Sequence, residues 1–392
     1  MREYLLVIFT GVIVTYVLVP VVRSLAVAIG AQAPVRDRDV HAIPTPRIGG
    51  LAMFGGLAGA LIMAQALPKM NRIFEETNTA RAVLLAGGLI VLIGIADDKW
   101  EIDPLTKFAG QVAAAGILIM NGVQLNAVPS GPYESTTLSP NYGVPLTVLI
   151  VVATINAVNF VDGLDGLAAG VVCIAGLALF LCVYRLTSVF RITVLAGPAL
   201  IAAILFAVCL GFLAHNFNPA RIFMGDTGSM LIGLLLAAAT IQFTGLFDSA
   251  VARKVAVFSG WLPLLLVPAV LAVPFLDMLL AVWRRTNQGR SPFAPDKHHL
   301  HHRLLKLGHS HRSSVMIMYG WVGLLASCMV AISYVPPHSP NYLMLVLSVT
   351  FLVALVGAAA MILLPRLVAR KALTEELAEA QEPGSHRPRE HV

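Results

Sequence analysis

The stretch at residues 192–213, ITVLAGPALIAAILFAVCLGFL, carries no charged side chain. It is long enough to cross the hydrocarbon of a bilayer as one helix, which takes about 20 apolar residues. An amphipathic helix on a soluble core would show a polar face, and this one has none. Runs of the same kind lie on either side of it, at 4–28, 48–67, 81–96, 105–121, 144–159, 166–184, 229–247, 255–283, 315–335 and 341–364, with short polar breaks between them. Across 392 residues 57% are hydrophobic and 12% charged, and the mean hydropathy is +0.80, which excludes an ordinary soluble domain. The sequence predicts an all-α integral membrane protein: a polytopic bundle of about eleven transmembrane helices over residues 1–365, then a charged tail at 366–392. The first run precedes Ala28-Ile29-Gly30-Ala31 and mimics a signal peptide, but its apolar stretch is too long for one and is read as a span. The ninth contains Pro263, Pro268 and Pro274, so a kinked or broken helix is expected there.

Orientation follows from the basic residues. The loops at 29–47, 97–104, 160–165, 214–228 and 284–314, the tail, and the adjoining Arg23 and Lys107 hold 19 of the 27 Lys and Arg residues. By the positive-inside rule that side is cytoplasmic, which places the N-terminus outside and the C-terminus inside. The net charge of +6 belongs mostly to these loops and suits anionic membrane lipids; nothing in the pattern suggests nucleic acid. Cys173, Cys182, Cys209 and Cys328 all fall within apolar runs, where a small, weakly polar side chain packs, so neither a disulfide nor a metal site is inferred from them.

Chemistry is indicated by where the acids fall. Asp97-Asp98-Lys99-Trp100-Glu101 closes the third run, and Asn156-Ala157-Val158-Asn159-Phe160-Val161-Asp162-Gly163-Leu164-Asp165-Gly166 closes the fifth. Phe223-Met224-Gly225-Asp226 opens the eighth, and Asp296-Lys297-His298-His299-Leu300-His301-His302-Arg303 follows the ninth. Alternating topology would divide scattered acids between the two faces, yet all four clusters land on the cytoplasmic one. Taken singly, Asp162, Asp165 and Asp226 each precede an apolar run and could as well cap a helix. The His-rich tract alone could as well be a solvated basic loop or an adventitious metal site. Adjacent Asp97 and Asp98 at the edge of a low-dielectric region, however, repel each other unless a cation lies nearby. Carboxylate and amide oxygens suit Mg²⁺, with Mn²⁺ as an alternative, and His and Arg suit phosphate. Such a set fits phosphoryl transfer, which needs mainly positioning and charge neutralisation.

Four signatures in order and spacing carry a resemblance: Pro44-Thr45-Pro46-Arg47-Ile48-Gly49-Gly50, the Asp97-Asp98 pair, Asn156-xx-Asn159-xx-Asp162-Gly163-xx-Asp165-Gly166, and Phe223-Met224-Gly225-Asp226 with the later His299-x-His301-His302. From about His41 to Leu305 the chain resembles the polyprenyl-phosphate N-acetylhexosamine-1-phosphate transferases, a superfamily of bacterial plasma-membrane enzymes. The resemblance implies that a polyprenyl phosphate, undecaprenyl or decaprenyl, attacks the β-phosphate of a UDP-activated amino sugar and releases UMP. It implies that Asp226 and Asn159 hold Mg²⁺ and that Asp97 and Asp98 act near the lipid phosphate as base or metal-organising groups. Catalytic roles thus fall on Asp97, Asp98 and Asp226. Substrate binding falls on Asn156, Asp162, Asp165, His299, His301, His302 and Arg303, with His41 and Arg47 flanking the lipid phosphate. Direct attack and double displacement both remain open, as does a homodimer.

The His-loop sequence looks like the N-acetylglucosamine branch, so UDP-GlcNAc is the expected donor; UDP-MurNAc-pentapeptide and UDP-GalNAc are the alternatives. Glu101 stands where many relatives place a third aspartate, which leaves a carboxylate but weakens that position's match. A cation-coupled transporter is the competing class. It would place its acids near the bilayer midplane and tend to show internal repeats, whereas these acids sit at run ends and no repeat is visible.

Overall fold

Every residue from Thr227 to Gly245 is buried in the computed structural model, and the helix that carries them, Gly225–Gly245, forms the axis of the protein. The structure describes residues 1–32, 45–131, 134–189, 192–246, 311–334 and 344–353, with Leu264, Thr286, Asn287 and Leu355. In chain order the described helices are α1 (Arg2–Ala28), α2 (Gly50–Ala66), α3 (Pro68–Glu76), α4 (Thr79–Trp100), α5 (Pro104–Met120), α6 (Pro140–Val161), α7 (Leu167–Val189), α8 (Ala196–Asn216), α9 (Gly225–Gly245), α10 (His311–Ser333) and α11 (Met344–Val353). Helix α9 is enclosed by α2, α4, α6, α7 and α8; α1 packs on α2 and α8, α5 on α4 and α6, and α10 on α7.

A helix buried on every side needs neighbours that approach closely, and small residues supply the room. A Cβ placed on Gly50 would lie 2.2 Å from the Gly228 nitrogen, and one on Gly94 would lie 2.3 Å from Thr227 Cα. The start of α2 and the end of α4 are thereby pressed against the first turn of α9, where the functional residues gather. On the outside, α1 exposes Leu5, Phe9, Ile13, Val17 and Val21, an apolar surface that suits lipid and not water.

Each of the first eight predicted spans, and the tenth, coincides with a helix, and the eleventh overlaps α11. Among the described residues seven helices are long and apolar enough to cross a membrane, or eight if the bent α2–α3 pair is one span; α5 and α11 are apolar but shorter. The predicted broken ninth span at 255–283 and the tail lie outside the described residues.

Two elements add to the sequence reading. The break after the second run holds α3, bent 105° from α2, with Met70 and Ile73 turned inward and the Met70 nitrogen donating to Glu3 Oε2 at 3.0 Å. Its apolar positions are too few for a span but enough for one buried face. The fold is helical as expected, with one small addition at 127–137, where β1 (Ala127–Gly131) and β2 (Glu134–Thr137) pair antiparallel, Ala127 opposite Thr137 and Val128 opposite Thr136. Pro129 fits because each strand of a two-stranded sheet is an edge. All four cysteines are free thiols, three of them buried.

Candidate active site

The last turn of α4 delivers two adjacent carboxylates to different tasks, because neighbouring residues on a helix point about 100° apart. Asp98 turns inward against the N-terminus of α9. Its Oδ1 accepts the Asp226 N–H at 3.0 Å, and its Oδ2 accepts the Thr227 N–H at 3.1 Å and the Thr227 hydroxyl at 2.6 Å. Asp98 therefore caps α9 from another helix, supplying acceptors to N–H groups that have no partner within their own helix and placing a negative charge at the positive end of its dipole. Gly225 makes this geometry accessible: its φ is +66°, and a Cβ there would lie 2.3 Å from Asp98 Oδ2.

Asp97, one position earlier, faces the carboxylate of Asp226, and between them lies the ammonium of Lys107 from α5. Lys107 Nζ is 2.9 Å from Asp97 Oδ2 and also pairs with Asp226 Oδ2. The other Asp226 oxygen accepts from Asn159 Nδ2 of α6 at 2.9 Å, and that same nitrogen donates to the Ser229 hydroxyl at 2.9 Å. Four helices thus meet on a group of two carboxylates, an amide and an ammonium. One turn deeper, Asn156 and the buried Gln111 exchange hydrogen bonds of 2.6 and 3.4 Å. Gln111 lies four residues after Lys107 and Asn156 three before Asn159, so this amide pair fixes α5 against α6 directly below the cluster.

Above α9 the chain is tied down by side chains that belong to the same motifs. Asp165 Oδ2 accepts from Asn218 Nδ2 at 3.0 Å and from the Ala220 N–H at 3.1 Å. Asn216 accepts from Gly166 and donates to the Ile222 carbonyl. The segment leading into α2 pairs with the same loop: Phe223 N–H donates to the Pro46 carbonyl at 2.8 Å, Gly49 N–H to the Phe223 carbonyl at 3.0 Å and Gly50 N–H to the Met224 carbonyl at 3.1 Å. These bonds hold Ile48 at φ +67°, which a buried β-branched residue adopts only when its surroundings impose it.

Asp162, just beyond the end of α6, shares the field of this group. Burial of its carboxyl, reinforced by the charges of Asp226 and Asp98, pushes its pKa up to about 8, with Arg47 opposing. On the other side Asp103 caps α5, accepting from the Leu105 and Thr106 N–H groups at 3.0 and 2.9 Å; the Thr106 hydroxyl bond holds its carboxyl below the usual range. Among the described residues no three His, Cys, Asp or Glu side chains converge on one metal position.

Glycosyl transferase family 4 matches residues 80–244. The decaprenyl-phosphate N-acetylglucosaminephosphotransferase of Mycolicibacterium smegmatis is 49% identical over 331 residues, covering 83% of this chain and 81% of that protein. The chain belongs to glycosyl transferase family 4. A probable undecaprenyl-phosphate N-acetylglucosaminyl 1-phosphate transferase of Bacillus subtilis is 34% identical, over 77% of each chain. The undecaprenyl-phosphate alpha-N-acetylglucosaminyl 1-phosphate transferase of Escherichia coli K12 is 29% identical, over 83% of this chain and 82% of that one.

In this family 4 protein the structure brings Asp97, Asp226 and Asn159 together. It puts Asp98 and Asn156 in the packing beneath them, Asp162 and Arg47 alongside, and Asp165, between α6 and α7, against the α8–α9 loop. His41, His299, His301, His302 and Arg303 lie outside the described residues. Sequence reasoning missed Lys107 and Gln111 as site residues. A lysine and a glutamine four apart, within the first two turns of an otherwise apolar helix, are costly there unless they meet a partner, and that was the available signal.

Proposed function

We propose that this protein transfers N-acetylglucosamine-1-phosphate from UDP-GlcNAc to a membrane polyprenyl phosphate, decaprenyl or undecaprenyl, giving a polyprenyl-diphosphate sugar and UMP. The observation that carries this reading is the meeting of Asp97, Asp226, Asn159 and Lys107 at one end of an apolar bundle, in a chain whose relatives bear the names of such transferases. The arrangement fits one substrate arriving from water and the other staying in lipid.

The residues also fit Mg²⁺. This ion keeps much of its water and takes one or two carboxylates plus substrate phosphates, so an all-protein cage is not required. Asn159 and Asp226 present polar atoms 2.9 Å apart. A carboxylate beside an amide supplies oxygen donors of the kind this ion takes. Asp226 and Asn159 would hold the ion. When bound, it would withdraw charge from the diphosphate as the bond to UMP breaks.

In the reaction an oxygen of the polyprenyl phosphate bonds to the β-phosphorus, and the bond from that phosphorus to the oxygen bridging it to the α-phosphate breaks. Asp97 faces Asp226 across Lys107, where it can orient the attacking phosphate and take up a proton that phosphate still carries. The Lys107 ammonium offsets charge on the diphosphate, Asp98 keeps Asp226 in register by capping α9, and Arg47 beside Asp162 offers a further cation to phosphate. We further infer eleven spans, an outside N-terminus, and a cytoplasmic site and C-terminus, on the basis of the distribution of Lys and Arg. Acids gathered at helix ends do not favour a transporter, which holds its ion near the midplane.

The test is UMP release by purified protein given polyprenyl phosphate and Mg²⁺, with UDP-GlcNAc, UDP-GalNAc or UDP-MurNAc-pentapeptide as donor, each with and without chelator. Release with UDP-GlcNAc that needs both lipid and metal, and that Asp226→Asn abolishes, is expected. Release with another donor alone would move the specificity, and none from folded protein would overturn the reading.

A further inference from the structure

The ammonium of Lys107 lies where a cation shared by Asp97 and Asp226 belongs. Its surroundings fix the backbone that carries it. Asp103 caps α5 through Leu105 and Thr106, the Lys107 N–H donates to the Asp103 carbonyl at 3.2 Å, and the Gln111–Asn156 pair locks the next turn to α6. A change of partner by Lys107 is therefore a swing of a four-carbon stem about a fixed helix. With Lys107 in place the two carboxylates are neutralised in part and held close without any metal. A divalent ion held by Asp226 and Asn159 meets, on the other oxygen of Asp226, a positive charge at contact distance, which must first find another anion.

We propose that Lys107 is an internal counter-cation that guards the metal position, so that divalent metal binds tightly only when a nucleotide diphosphate is present to receive the displaced ammonium. The inference rests on the reading of Asp226 and Asn159 as metal ligands. It assigns Lys107 a positioning role in assembling the site, beyond whatever charge it offsets during transfer. The carboxylates stay compensated before substrate arrives, and metal and donor bind with positive coupling. Such coupling is reciprocal: the metal tightens the diphosphate by the same factor as the diphosphate tightens the metal.

The test measures binding and not turnover. Mn²⁺ binding to the full-length, detergent-solubilised protein is followed by the loss of the free-ion electron paramagnetic resonance signal, with and without UDP, in wild type, Lys107→Met and Lys107→Arg. Wild type is expected to bind Mn²⁺ about tenfold or more tightly with UDP than without it. Lys107→Met is expected to bind Mn²⁺ without UDP about as tightly as wild type does with UDP. Lys107→Arg keeps the charge and is expected to keep the weak metal binding in the absence of UDP; it also serves if the methionine variant does not fold. Mn²⁺ binding that UDP strengthens equally in wild type and Lys107→Met, or equally weak binding without UDP in both, overturns the counter-cation while leaving the metal site standing. If the methionine variant is unfolded, Lys107→Arg binding Mn²⁺ tightly without UDP overturns it. Absence of Mn²⁺ binding to wild type, even with UDP, overturns both this inference and the metal reading.

Discussion

Asp98 grips Thr227 twice, through the backbone N–H at 3.1 Å and the hydroxyl at 2.6 Å, so the end of α4 serves as the cap of α9. Asp97, its neighbour, has no part in that cap and pairs with Lys107 instead. Two aspartates that read as one motif thus differ in kind. Asp98→Ala is expected to cost about 2 kcal/mol of stability through lost capping, seen as a lower Tm in detergent. Asp97→Asn is expected to change stability by less than about 0.5 kcal/mol while reducing UMP release by about a hundredfold or more. Equal losses of Tm in the two variants would contradict the division.

Gly225 cannot carry a side chain, both because of its φ of +66° and because a Cβ would lie 2.3 Å from Asp98 Oδ2. Gly225→Ala is expected to destabilise by about 2 kcal/mol or more. Gly163→Ala is the control: a Cβ there meets nothing within 4 Å and its φ is not in the left-handed region, so its Tm should match wild type. A Gly225→Ala protein as stable as this control would refute the close approach of Gly225 to Asp98.

Asp165 Oδ2 accepts from both the Asn218 side chain and the Ala220 N–H. An asparagine keeps one carbonyl oxygen and can accept both, whereas alanine leaves Asn218 and Ala220 without this acceptor. Asp165→Ala is expected to lose about 1–3 kcal/mol, and Asp165→Asn to keep most of the stability and of the activity. An inactive but fully stable Asp165→Asn would mean that its charge, and not its hold on the loop, is what matters.

Asp162 keeps its proton up to about pH 8 in the folded protein, whereas an aspartate in an unfolded chain loses it near about pH 4. The folded state holds the extra proton between these values, so the stability it adds falls as pH rises through that window and is lost above about pH 8. Melting curves of chelator-treated protein at about pH 5.5 and about pH 8.5 should differ less in Asp162→Asn than in wild type. Identical differences would remove Asp162 as the source.

Some of this was legible in residues alone. The apolar runs predicted most described helices because a stretch of about 20 consecutive apolar side chains, to be buried in protein or exposed to lipid, is a local property of the chain. The gathering of acids followed from topology, since alternate loops share a face. The hairpin at 127–137 was not legible, its strands being short and one containing Pro129. Helix α3 was missed because only Met70 and Ile73 mark its inner face.

Sequence by itself determined that this is a helical membrane protein whose Asp97-Asp98, Asn159 and Asp226 motifs lie toward one end. Hydrophobic length and loop alternation need no knowledge of which helix touches which. Tertiary structure alone decided which aspartate caps and which pairs, that Asp165 holds a loop, and that Lys107 joins the cluster from α5. Those assignments depend on how each helix is rotated about its axis. That rotation is set by packing against α9, through close approaches such as those at Gly50 and Gly94, and adjacent side chains on one turn then meet different partners.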